Sequence, residues 1–207
     1  GIITRKPVVR VFIVFACLYS IPNMISHILQ IVLIQEQGGS ASAATTTLII
    51  AAIAEITVFL YFRRLLRRIR LFWLLFFAVF GQALRWTLIF LYPSLTVIYL
   101  TNILHMFSYG MFDICGITFI HRELPDELRS SGQTFLNIMV TSVGMTMGPL
   151  LSSLFIGWAE GQGIDALRYW YLVAAVFVLL SVPFWLWAKH LYHKEHGVTG
   201  YFVKEAS

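Results

Sequence analysis

Three charged side chains stand inside stretches that are otherwise apolar, and they are the groups best placed for chemistry: Glu55, Arg85 and Asp113. A charge at the centre of a membrane-crossing helix costs about 2.5 to 3.5 kcal/mol on insertion scales, so an unpaired trio would cost roughly 8 to 10 kcal/mol. Two acids and one base invite pairing. They serve either as a structural ion pair that pins helices together or as ionisable groups along a watered path that moves protons. Arg85 and Asp113 are expected to lie within reach of each other across the third and fourth apolar runs, with the guanidinium tuning the acid by its charge.

Neutral polar residues form two stripes. Tyr19, Asn23, His27 and Gln30 are spaced by four, four and three, which puts them on one helical face. Pro22 lies within that stripe and frees a backbone carbonyl, which predicts a bend. Asn102, His105, Tyr109 and Asp113 repeat the pattern at three, four and four, with Gly110 and Gly116 allowing close approach. The stripes hold corresponding positions in two three-run halves, and paired polar helices of this kind point to a transporter binding site. The alternative for His27 and His105 is a plain hydrogen bond to a neighbouring helix. Asn137, Thr141, Gly144, Gly148 and Ser152 share a face of the fifth run. Small residues at that spacing read as tight helix packing, and Asn137 is the member nearest a ligand role. His190, His193 and His196 recur every third residue, but no Cys or carboxylate completes a metal site beside them, so none is expected.

The elements that must position these groups follow from composition. Of 207 residues, 58% are hydrophobic and 12% charged, against roughly 25% charged in a soluble domain. Six apolar runs cover about 8–34, 43–62, 71–92, 95–120, 134–158 and 167–188. Each is long enough to span as a helix, whereas a β-barrel would show alternating segments of about ten residues. The expected fold is an all-α membrane protein with residues 1–190 as one six-helix unit, built as a 3+3 inverted repeat, and 191–207 as a cytoplasmic tail. The bilayer is then the principal partner. The net charge of +5 does not point to nucleic acid, because the bases sit between apolar blocks. Ala41-Ser42-Ala43 resembles a signal cleavage site, yet the preceding stretch exceeds the roughly 15-residue core of a signal peptide. Neither an H-E-x-x-H nor a G-x-S-x-G motif occurs, which argues against an enzyme. The segment 122–129 reads as a solvated loop in which Pro125 opens a short helix. Trp158, Trp170 and Trp187 read as lipid-facing or interfacial. The first residue is Gly1 rather than Met, as expected of a fragment or a processed chain.

Four motifs add a family likeness: Ala54-Glu55, Leu84-Arg85, Tyr109-Gly110-Met111-Phe112-Asp113 and Leu128-Arg129-Ser130-Ser131-Gly132-Gln133. In this order and on these runs, they resemble the C-terminal six-helix half of major facilitator superfamily transporters, closest in type to bacterial nucleoside/proton symporters. Leu104-His105-Met106-Phe107 is similar to a proton-coupling helix of galactoside/proton symporters, but Ser108 stands where that group has glutamate. The resemblance implies symport of a small polar solute, a nucleoside or a sugar, without a cofactor and driven by a proton gradient across the cell inner membrane. It implies that Glu55 and Phe112 contact substrate, that Asp113 carries the proton and Arg85 tunes it by charge, with Glu55 and His105 as further proton-coupling groups, and that His105, Tyr109, Asn23 and His27 line the cavity, to which the fifth run adds Asn137. It also implies a partner: a missing N-terminal six-helix half or a second copy. A non-transporting scaffold or receptor that keeps this fold is the alternative, although a scaffold could replace the buried charges with leucine.

Orientation follows from the basic residues. Arg5, Lys6 and Arg10 precede the first run, five arginines from Arg63 to Arg70 join the second and third, Arg122 and Arg129 flank the fourth link, and Lys189, Lys194 and Lys204 follow the sixth. Only Arg168 lies on the opposite side. An excess of Lys and Arg marks the cytoplasmic side, so both termini are expected there. Single cysteines at Ser40 and Arg68 should therefore react with an impermeant thiol reagent from opposite faces of the membrane, and labelling of both from one face would overturn this topology.

Overall fold

The computed structural model describes Ile3 to Gly197; Gly1, Lys204 and the rest of 198–207 lie outside the described residues. Among the described residues eight α-helices make six spans: α1 (Pro7–Glu36), α2 (Ala41–Arg68), α3 (Leu71–Leu91), α4 (Leu95–Ile103) with α5 (Met111–Glu123), α6 (Asp126–Gly161), and α7 (Ala166–Leu179) with α8 (Val182–His196). All six are long and apolar enough to cross a membrane, and no strand occurs among the described residues. The chain is a multi-pass membrane protein.

Local signals set the ends. Pro7 opens α1, where its missing N–H is no loss. Gly38 takes a left-handed φ of 75° after α1, a conformation that glycine adopts without strain. The Ser40, Ser94 and Asp165 side chains accept backbone N–H bonds at the starts of α2, α4 and α7. Arg168 donates from Nε to Phe90 O at 2.7 Å, covering a carbonyl that the end of α3 leaves open.

Several details depart from the sequence reading. The fourth span is interrupted by a wide turn at Met106–Gly110, in which hydrogen bonding skips to the fifth residue. The sixth span breaks at Leu180 and Ser181, ahead of Pro183. The link expected to be a solvated loop at 122–129 shrinks to Leu124 and Pro125, because Pro125 caps a helix of 36 residues rather than a short one. Trp170 is buried instead of facing lipid, since its indole N–H finds an acceptor in Ser26 Oγ at 3.2 Å. Trp158 and Trp187 are exposed, as expected.

The core gathers on α1. It is the most buried span and α6 the least. Its most extensive contact is with α6, through the small-residue face. A Cβ on Gly144 would meet Met24 Cγ at 2.7 Å, and one on Gly148 would meet the Ile21 carbonyl oxygen at 2.6 Å. Backbone cannot yield as a flexible side chain can. Gly148→Val should therefore destabilise the chain by about 1–3 kcal/mol, as overpacked positions do. Gly157→Ala, with nothing within 4 Å, should be neutral or slightly stabilising through helix propensity. Thermal unfolding in detergent reads both.

Candidate functional site

Arg85 sits on α3 with 1% of its surface exposed. A guanidinium cannot shed its charge at ordinary pH and presents only donors, so each buried N–H requires an acceptor. The two polar stripes supply acceptors for Nη1 and Nη2, while Nε is buried without a hydrogen-bond partner among the described residues. Arg85 Nη2 donates to Gln30 Oε1 on α1 at 2.7 Å and to Asn102 Oδ1 on α4 at 3.0 Å. Arg85 Nη1 donates to His105 Nδ1 at 3.0 Å. Because Arg85 offers no acceptor, Nδ1 must accept, which places the proton of a neutral imidazole on Nε2. That atom lies 2.9 Å from Glu55 Oε1 on α2. The result is a bridge of Arg85, His105 and Glu55, in which the buried cation and its counter-charge are separated by one ring.

The ring is also held by stacking. His105 lies parallel to Tyr109, with centroids 5.6 Å apart and planes 3° from parallel, while His27 meets it edge-on at 4.9 Å. Gly110 lets α2 come close, since a Cβ there would stand 3.2 Å from Glu55 Cγ. Beyond Tyr109 the site opens into a cleft of about 530 Å³ lined by Tyr109, Asp113, Asn137, Thr141 and Ser142. Hydroxyl, amide and carboxyl groups dominate this open face, with Ile138 its one apolar side chain, which suits a small polar solute better than an apolar one.

The expected residues fall into three places. Glu55, Arg85, His105 and His27 meet at the bridge. Tyr109, Asp113 and Asn137 line the cleft. Asn23 and Phe112 do not reach it. Asn23 is fully buried and donates to Tyr19 O at 2.8 Å, and Phe112 stacks on Tyr19 at 4.0 Å, with Phe15 beside it. Phe112 is one residue from Asp113 and so points about 100° away around the helix. The expected contact between Arg85 and Asp113 is also absent: among the described residues Arg85 makes no ion pair with Asp113. Arg85 turns toward neutral amides on α1 and α4, while the wide turn after His105 rotates α5 so that Asp113 faces α6. Gln30 and Asn102 are functional partners that a search for opposite charges misses, although their places in the two stripes signal them.

A profile of the MFS_1 like family matches residues 2–164. The chain belongs to this family. It is similar to the xanthosine permease of Escherichia coli (strain K12), with 27% identity over 107 residues. That match takes in 50% of this chain and 26% of the permease, so the chain covers well under two thirds of its relative. No solved structure matches it. The family match and the six spans agree on a membrane unit of the major facilitator type.

The bridge predicts a specific instability. Gln30→Leu removes an acceptor from a buried cation, and hydrogen bonds to charged groups contribute about 1.5–3 kcal/mol. The variant should lose that much stability in thermal unfolding, whereas Asn137→Leu, on the open cleft, should lose under about 0.5 kcal/mol.

Proposed function

We propose that the chain is the C-terminal half of a proton-coupled symporter for a small polar solute, with a nucleoside as the first candidate and a sugar as the second. The observation that carries this reading is the bridge from Arg85 through His105 to Glu55, set directly beside a polar cleft that holds a second acid, Asp113. The likeness to a permease named for xanthosine supports the choice of solute. The complementary N-terminal half, or a second copy, closes the cleft from the other side. The protein sits in the inner membrane with both termini in the cytoplasm, binds no nucleic acid, and draws on the proton gradient without a resident cofactor.

In this reading the two acids divide the work. Glu55 is partly exposed and can offer an oxygen to hydroxyl or amide hydrogens of the solute. Doing so competes with His105 Nε2–H and weakens the hold on the Arg85 counter-charge. The bridge joins α2, α3 and α4, so its loosening favours one helix arrangement over another. Asp113 makes no ion pair among the described residues and stands half-buried in the cleft. It can gain or lose a proton without breaking the bridge. Protonating it removes one of two like charges near the bound solute, which favours loading.

The test uses the complete transporter in proteoliposomes. Asp113→Asn mimics the protonated acid and should abolish uphill, proton-driven uptake while retaining solute exchange. Glu55→Gln should weaken binding about tenfold, equal to 1.4 kcal/mol. Full accumulation by Asp113→Asn would remove the proton from Asp113, and uptake indifferent to the proton gradient would overturn symport.

A further inference from the structure

On the outer side of α3, away from the cleft, a groove of about 340 Å³ runs between α2, α3 and the wide turn of the fourth span. Its lining is apolar throughout and includes Leu74, Gly81 and Leu84 of α3 and Phe107 of the turn. Gly81 forms part of its floor, since a Cβ there would lie 3.5 Å from Phe107 Cβ. From Leu74 to Leu84 the helix rises about 15 Å, which is the hydrocarbon depth of one leaflet of a roughly 30 Å core. No donor or acceptor side chain lines the groove, so it cannot recognise a polar solute.

At its arginine-rich end the groove continues into a second recess lined by Tyr61, Arg64, Arg67 and Arg68, and the two share Leu65 and Ile69. Arg64 lies over the Tyr61 ring at 5.5 Å. Arg64, Arg67 and Arg68 are exposed and form no ion pair among the described residues. Three guanidiniums beside a leaflet-deep apolar groove match a molecule with a phosphate at one end and a hydrocarbon chain at the other. Guanidinium suits phosphate because its donors form a planar fork, and basic recesses between membrane helices are where anionic head groups bind.

We propose that recess and groove together hold one anionic phospholipid, with its phosphate on Arg64, Arg67 and Arg68 and an acyl chain lying over Gly81. The occupant lies against Phe107, two residues from His105, and so packs behind the segment that carries the bridge.

The purified 207-residue chain, in detergent with equal amounts of phosphatidylglycerol and phosphatidylcholine of the same acyl chains, should retain phosphatidylglycerol at least fivefold more in native mass spectrometry. R64Q/R67Q/R68Q should bring that ratio close to one, while R5Q/K194Q, with a smaller charge loss elsewhere, should leave it. Leu84→Trp, which fills the groove without touching charge, should reduce phosphatidylglycerol retention severalfold. Circular dichroism confirms the helix content of each variant, and the exposed arginine triple tests the proposal should Leu84→Trp fail to fold. Equal retention of the two lipids by the unaltered chain overturns the proposal. So does displacement of the lipid by millimolar inorganic phosphate with no effect of Leu84→Trp, which would make the recess a site for free anion.

Discussion

The arrangement of the spans depends on a guanidinium that has been taken out of water. Removing Arg85 from solvent carries a desolvation cost of several kcal/mol, which the protein offsets in part by giving both terminal nitrogens well-placed acceptors, although Nε meets none among the described residues. Those acceptors come from different helices: Gln30 from α1, Asn102 and His105 from α4 and its continuation, with Glu55 of α2 behind His105. One cation on α3 therefore ties four of the six spans at a common depth. Leucine at this position would pack easily and set no such constraint, so the buried cation decides which helices meet rather than simply adding to stability.

The wide turn at Met106–Gly110 makes that network adjustable. A turn with hydrogen bonds to the fifth residue has poorer geometry than a regular one and often lies at functional positions. Here it separates two tasks within one span. Residues before and within it, His105 and Tyr109, belong to the bridge and its stacked ring, while Asp113, after it, belongs to the cleft. Phe107 faces the opposite way, into the apolar groove. A small change in the turn would thus alter the bridge, the direction of Asp113 and the lipid-side surface together.

How much of this could be read from the sequence depends on which property carried the signal. Six spans were legible because apolar length is an additive property of the chain. The two polar stripes were legible because a period of 3.6 survives wherever the helix is regular, and Gln30, His105 and Asn102 do converge on Arg85. A pairing of Arg85 with Asp113 rests on opposite sign and on the adjacency of the third and fourth runs. Sign takes no account of neutral carboxamides, which accept a guanidinium's hydrogen bonds while supplying no counter-charge. The rotation that carries Asp113 toward α6 arises in a five-residue turn whose composition, Met-Phe-Ser-Tyr-Gly, gives no warning. Asn23 and Phe112 failed for a different reason. Asn23 lies on a stripe whose helix does not border the cleft, and Phe112 lies off the second stripe on the core side of α5, so both face the core, where Tyr19 meets each.

The same reasoning explains why α6 is both the least buried span and one of the most constrained. Its Gly144 and Gly148 touch the α1 backbone and Ser20 Oγ lies 3.0 Å from Val140 O, which holds that face at a fixed distance from α1. Asn137 and Thr141 lie one to two turns earlier on the same helix and line the cleft with Tyr109 and Asp113. A helix packed through glycine on one stretch cannot slide along its partner without backbone collision. The width of the cleft is therefore set not by the residues that line it but by two residues that have no side chain at all.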